Sequence, residues 1–114
     1  MDKREIEHTV RLICSDYPRR ECILNKGSAS DSVLTLYAAL NKAVDDAIAD
    51  AYTKCSAYVP HFAEIMIDDI AECRGYPNTA MHVTMSEGAY KKYKRMIKEG
   101  IAYRLGLLYG RSDK

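Results

Sequence analysis

The stretch 86-SEGAYKKYKRMIKEGIAYRLGLL-108 decides how this chain is read. Taken at about 100° per residue, Tyr90, Tyr93, Ile97, Ile101, Leu105 and Leu108 share one apolar arc of a helix. Lys91, Arg95 and Lys98 group on a neighbouring arc, with Lys94 and Lys92 at its two edges. All five bases lie within 91–98, and no carboxylate interrupts them. An ordinary solvated face usually interleaves acids, so this clustering points to an anionic partner. Ser86 is placed to cap the helix, and Glu87 suits the positive end of its dipole. Gly88 and Ala89 are small, which lets a helix start approach a backbone closely while the bases reach phosphates.

Working back along the chain, 60–74 carries Phe62, Ile65, Met66, Ile70 and Cys73 at helical spacing, and Pro60 suits a first turn. Gly75 and Pro77 end that helix, leaving a loop with room for one helical turn at 79–83. Before it, Val33, Tyr37, Leu40, Val44, Ile48, Ala51 and Cys55 step by three and four, which predicts a long helix over 29–59 capped by Ser28 or Ser30. Such a helix exceeds what one small domain needs and offers a dimer seam. Ile6, Val10 and Ile13 predict an N-terminal helix within 1–16, stopped at Tyr17-Pro18. Residues 16–30, with Pro, Asn, Gly and two serines, read as a turn-rich connection. No hairpin signal occurs. The expected class is all-α: a single helical domain over 1–114, with a long central helix and a helix-turn-helix-like part over 60–108.

The composition is that of a globular chain: 114 residues, 47% hydrophobic and 29% charged, with no run long enough to span a bilayer. The charged N-terminus has no apolar segment behind it, so a cytoplasmic location is expected. The net charge of +1 conceals segregation. Residues 31–73 set two lysines against eight carboxylates, whereas 84–114 set eight bases against three. A basic C-terminal end is a reason to look for nucleic acid.

Nothing resembles a catalytic set. His8, His61 and His82 are separated, and neither a phosphate-binding Gly-rich loop nor an HExxH motif occurs. Asp45-Asp46 and Asp68-Asp69 are adjacent pairs that diverge by about 100° on a helix, and solvated acidic faces explain them. The spacing of Cys55, His61 and Cys73 is unlike a closed zinc module, and the four cysteines are expected to be buried thiols. No cofactor, metal or enzymatic activity is expected. Nine tyrosines against one phenylalanine provide apolar bodies with polar tips, and Tyr90, Tyr93 and Tyr103 are expected in the core with hydroxyls at its rim.

The pattern Ser86-x-x-Ala89-Tyr90-x-x-Tyr93-Lys94-Arg95, followed by Ile101-Ala102-Tyr103-Arg104-Leu105-Gly106-Leu107, resembles the C-terminal end of ArpU/RinA-type phage transcriptional regulators. The specific part of the likeness covers about 25 residues; Tyr17-Pro18 and the serine-rich link into a long helix add to it. The resemblance implies a phage protein with a helix-turn-helix like that of sigma region four, which controls transcription. Two departures stand out. Only eleven residues, 75–85, occupy the turn region, and Gly88 and Ala89 replace the hydroxyl residues usual at the helix start. The main expectation is therefore duplex DNA bound by Lys91, Lys92, Lys94, Arg95 and Lys98 on phosphates, with Ser86 and Glu87 near the groove. The alternative, drawn from the shortened turn, is a phage accessory protein that inhibits a host protein or ribonucleoprotein complex, for example as an anti-CRISPR. A homodimer is expected in either case.

Overall fold

The computed structural model describes residues 2–55, 58–76 and 85–107, which form five helices and, among those residues, no strand. The first helix, α1 (Lys3–Ser15), opens with a reciprocal capping box: Glu5 N donates to Asp2 Oδ1 and Asp2 N donates to Glu5 Oε1, both at 2.9 Å. Its buried stripe is Ile6, Val10 and Cys14, while Ile13 is only half-buried.

The expected connection over 16–30 contains a second helix, α2 (Tyr17–Lys26). Pro18 sits in its first turn, where a missing N–H costs nothing, so the proline begins a helix rather than merely ending α1. Gly27 closes it with φ of 62°, and Lys26 lies at the negative end of the dipole. The link into the next helix shrinks to 27–30.

Ser30 Oγ accepts from Val33 N at 3.4 Å and starts α3 (Asp31–Thr53). With 23 residues α3 is about 34 Å long, shorter than the span 29–59. It stops at Lys54, and beyond it Val59 N donates to Tyr52 Oη at 3.1 Å. Only the second half of its stripe is buried, through Val44, Ala47, Ile48 and Ala51; Val33, Tyr37 and Leu40 stay half-exposed.

Helix α4 (Phe62–Glu72) begins two residues after Pro60, because His61 takes a left-handed φ of 59° and cannot belong to the helix. Phe62, Met66, Ile67 and Ile70 are buried, and Cys73 is the exposed left-handed cap. Of the four thiols expected to be buried, only Cys14 is; Cys55 is half-buried, and Cys22 and Cys73 are exposed because Cys22 lies off the core-facing side of α2 and Cys73 lies past the last turn of α4. The last helix, α5 (Glu87–Arg104), is capped as expected: Ser86 Oγ accepts from Ala89 N at 3.2 Å. It ends before Leu108, because Gly106 turns left-handed at φ 69° and Leu107 N closes on Ala102 O at 2.8 Å. Leu105 and Leu107 still pack on the core, whereas the expected turn at 79–83 and core residue Leu108 lie outside the described residues.

The most extensive packing is α3 on α5, followed by α1 on α4, with α2 lying on α3. Gly100 faces Ala47 so closely that a Cβ at 100 would sit 3.1 Å from the alanine methyl. Around this contact Val44, Ile48, Ile97 and Ile101 fill the centre with Val10, Met66 and Ile70. Each such side chain contributes about 1.5–3 kcal/mol by burial. Tyr52 and Phe62 close one end with ring centroids 4.9 Å apart.

Contact between α2 and α3 includes a polar joint. Buried Arg20 donates from Nε to Asn41 Oδ1 at 2.6 Å and from Nη2 to Ile13 O, with Asp16 at 3.6 Å. Asn41 Nδ2 donates to Glu21 Oε2 at 2.8 Å, and Tyr17 Oη donates to Asp45 Oδ1 at 2.6 Å. Arg19 makes a two-pronged pair with Asp16 and lies 5.4 Å over the Tyr37 ring.

Candidate nucleic-acid interface

Helix α5 presents its five bases in different conditions. Arg95 is exposed and makes no ion pair among the described residues. Lys91 pairs with Glu87 at 2.9 Å, an exposed contact one turn away that salt or a competing anion readily displaces. Lys92 places Nζ 5.9 Å from the Tyr93 ring centroid. Lys98 is half-buried at the edge of a groove.

Lys94 differs from the rest. Its Nζ lies 3.1 Å from Asp69 Oδ1, and only 19% of the side chain is exposed. Asp69 is fully buried, which corrects the solvated reading of Asp68-Asp69: Asp68 is the outward member, paired with Arg74 at 2.7 Å. Asp69 also accepts from Gly75 N at 2.6 Å and from the hydroxyl of fully buried Tyr90. Burial pushes the Asp69 carboxyl up, but the bonds from Tyr90, Gly75 and Lys94 outweigh it and hold its pKa below the ordinary value. A carboxylate among donors is what makes Lys94 a fold-holding residue. The hydroxyl of Tyr90 is thus inside rather than at the rim, Tyr93 Oη donates to Lys54 O at 2.9 Å, and Tyr103 is exposed.

The helix start has little left to read bases with. Ser86 Oγ serves the cap, Glu87 answers Lys91, and nothing lies within 4 Å of where a Cβ on Gly88 would point. The arc thus offers cationic groups, and the helix start adds no unoccupied polar side chain to them.

A groove of about 270 Å³ adjoins this arc, and sequence reading did not identify it. Its walls are Arg4, Glu7, His8 and Arg11 of α1 facing Lys94 and Lys98 of α5, over Ile70 and Cys73. The signal was present in the spacing of 4, 8 and 11, which puts three basic side chains on one face of α1, clear of its Ile6, Val10 and Cys14 stripe. Only the pairing of α1 with α4, which depends on tertiary packing, brings that face beside α5. On α4 a separate groove of about 350 Å³ is bordered by Glu64, Asp68 and Glu72.

Among the described residues no three His, Cys, Asp or Glu side chains group to hold a metal, and no helix is long and apolar enough to cross a membrane. No family model, curated protein sequence or solved structure matches the chain.

Proposed function

We propose that the protein binds duplex DNA through the basic face of α5 and acts as a small phage-type regulator of transcription, with α4 and α5 as its helix-turn-helix-like unit. The observation that carries the reading is the unbroken cationic arc from Lys91 to Lys98, in which Arg95 and Lys98 form no ion pair among the described residues. The resemblance of 86–107 to ArpU/RinA-type regulators supports it. Lys91, Lys92, Arg95 and Lys98 are the phosphate anchors, while Lys94 backs the helix through Asp69. With Ser86 and Glu87 occupied locally, affinity comes from the backbone more than from base identity.

The test is fluorescence anisotropy with a random-sequence duplex across a salt series. The expected result is a steep loss of affinity between low and physiological salt, and abolition by the double variant Arg95→Glu/Lys98→Glu. A flat salt response, or no duplex binding, overturns the proposal.

The acidic groove on α4 supports a second reading, in which Glu64, Asp68 and Glu72 receive a basic surface of a host protein or ribonucleoprotein complex as part of an anti-defence role. A stoichiometric partner in a pull-down from host lysate, lost on Glu64→Lys/Glu72→Lys and retained by the α5 variant, would favour it over DNA binding.

A further inference from the structure

We infer that the groove between α1 and α5 is a seat for the phosphodiester backbone of duplex DNA, with α1 as its second wall. This rests on the DNA-binding reading of α5 and extends it to residues on a different helix. Lys94 is already matched by Asp69, so Arg4, Arg11 and Lys98 set three positive charges against Glu7 alone, and His8 adds a ring N–H. Neither Arg4 nor Lys98 makes an ion pair among the described residues, and Arg11 spends only Nε, on Ala71 O at 3.2 Å. Its remaining guanidinium N–H groups are available for a two-pronged phosphate contact.

The position of Arg4 adds a separate argument. It lies in the first turn of α1, where the helix dipole is positive and a cation is unfavourable. Local folding therefore gains nothing from a base at this site, whereas an anion in the groove would. Arg4 and Arg11 are seven residues apart, about 10 Å along the axis. One strand of B-DNA carries a phosphate for about every 3.4 Å of axis, and consecutive phosphates lie farther apart than that along the winding backbone, so Arg4 and Arg11 are spaced for separate phosphates of one strand.

Anisotropy with the same random-sequence duplex tests the groove through Arg4→Glu, alongside Arg95→Glu. Charge reversal at Arg4 should weaken binding about tenfold at low salt and reduce the slope of log affinity against log salt by about one. Its Tm should not fall, because an acid suits that first turn. A second measurement uses Cys73, which is exposed at the groove, and Cys22, which is exposed on α2. Saturating duplex should slow alkylation of Cys73 and leave Cys22 unchanged. If Arg4→Glu binds like the unmodified protein, or Cys73 is not protected, while Arg95→Glu weakens binding, the groove inference falls and the α5 reading survives. If the unmodified protein binds no duplex, both fall together.

Discussion

Asp69 joins three parts of the chain: it accepts from Gly75 N, Tyr90 Oη and Lys94 Nζ, and so ties the end of α4 to the start of α5. Tyr76 extends the joint, with its ring 5.6 Å from that of Tyr90 and its hydroxyl donating to Met85 O at 2.9 Å. Because the folded pKa of Asp69 is lowered, its contribution to stability is complete above the unfolded carboxylate value near pH 4 and is lost as pH falls through the lower folded value. Tm should thus be steady from neutral to about pH 5 and decline below about pH 4. Asp69→Asn should lower stability by about 2 kcal/mol at neutral pH and flatten that acid decline, as read by thermal melts across pH. Part of this was legible in the sequence: at helical spacing Asp69 falls inside the stripe of Phe62, Ile65, Met66 and Ile70, and Asp68 falls outside it. The partners of Asp69 were not, because Tyr90 and Lys94 reach it only through the packing of α5. Cys14 lies four residues beyond Val10 on the stripe of the first helix, and its burial pushes its thiol pKa up to about 12.

At the level of elements, α5 is held to α3 by an approach that depends on a missing side chain. A Cβ at Gly100 would press on Ala47 at 3.1 Å, whereas the same atom at Gly88 would meet nothing within 4 Å. Both substitutions raise helix propensity, so packing alone separates them. Gly100→Val should destabilise by about 2 kcal/mol, and Gly88→Ala should stabilise by about 0.5 kcal/mol, in urea unfolding. The class of the fold and four of its helices were legible because their apolar positions recur at three and four, and because Ser30 and Ser86 cap where caps are expected. Helix α2 was missed because its stabilising contacts are polar and leave no apolar stripe: Arg20 is its only buried residue. Pro18 reads as a stop for α1 as readily as a first-turn residue of α2, and Gly27 after Lys26 is the sign of a helix end in that stretch. The long helix was overextended because periodicity continued to Cys55 beyond the last turn.

For the molecule as a whole, the half-covered part of α3 bears on assembly. Val33, Tyr37 and Leu40 are partly exposed and Leu36 is about half exposed, so the first half of the long stripe is only partly covered by the described residues. A homodimer formed along this face remains our proposal. It predicts a concentration-dependent dimer in sedimentation velocity that Leu36→Glu converts to monomer without lowering the monomer's helical content; a monomer at all concentrations would count against it. Legibility ends at this scale for a physical reason. Periodicity shows that a face is apolar, but only tertiary packing shows which half the chain covers itself. The basic groove has the same origin, since α1 and α5 are distant in sequence and meet beside α4.

The polar joint of Arg20, Asn41, Glu21 and Tyr17 has a consequence for how the protein opens. Lifting α2 from α3 would break these hydrogen bonds but release no fully buried apolar side chain of α2, so the event should respond more weakly to denaturant than global unfolding. Amide hydrogen exchange in α2 should therefore proceed through fluctuations that remain insensitive to low urea, while the amides of Val44 to Ala51 wait for global unfolding.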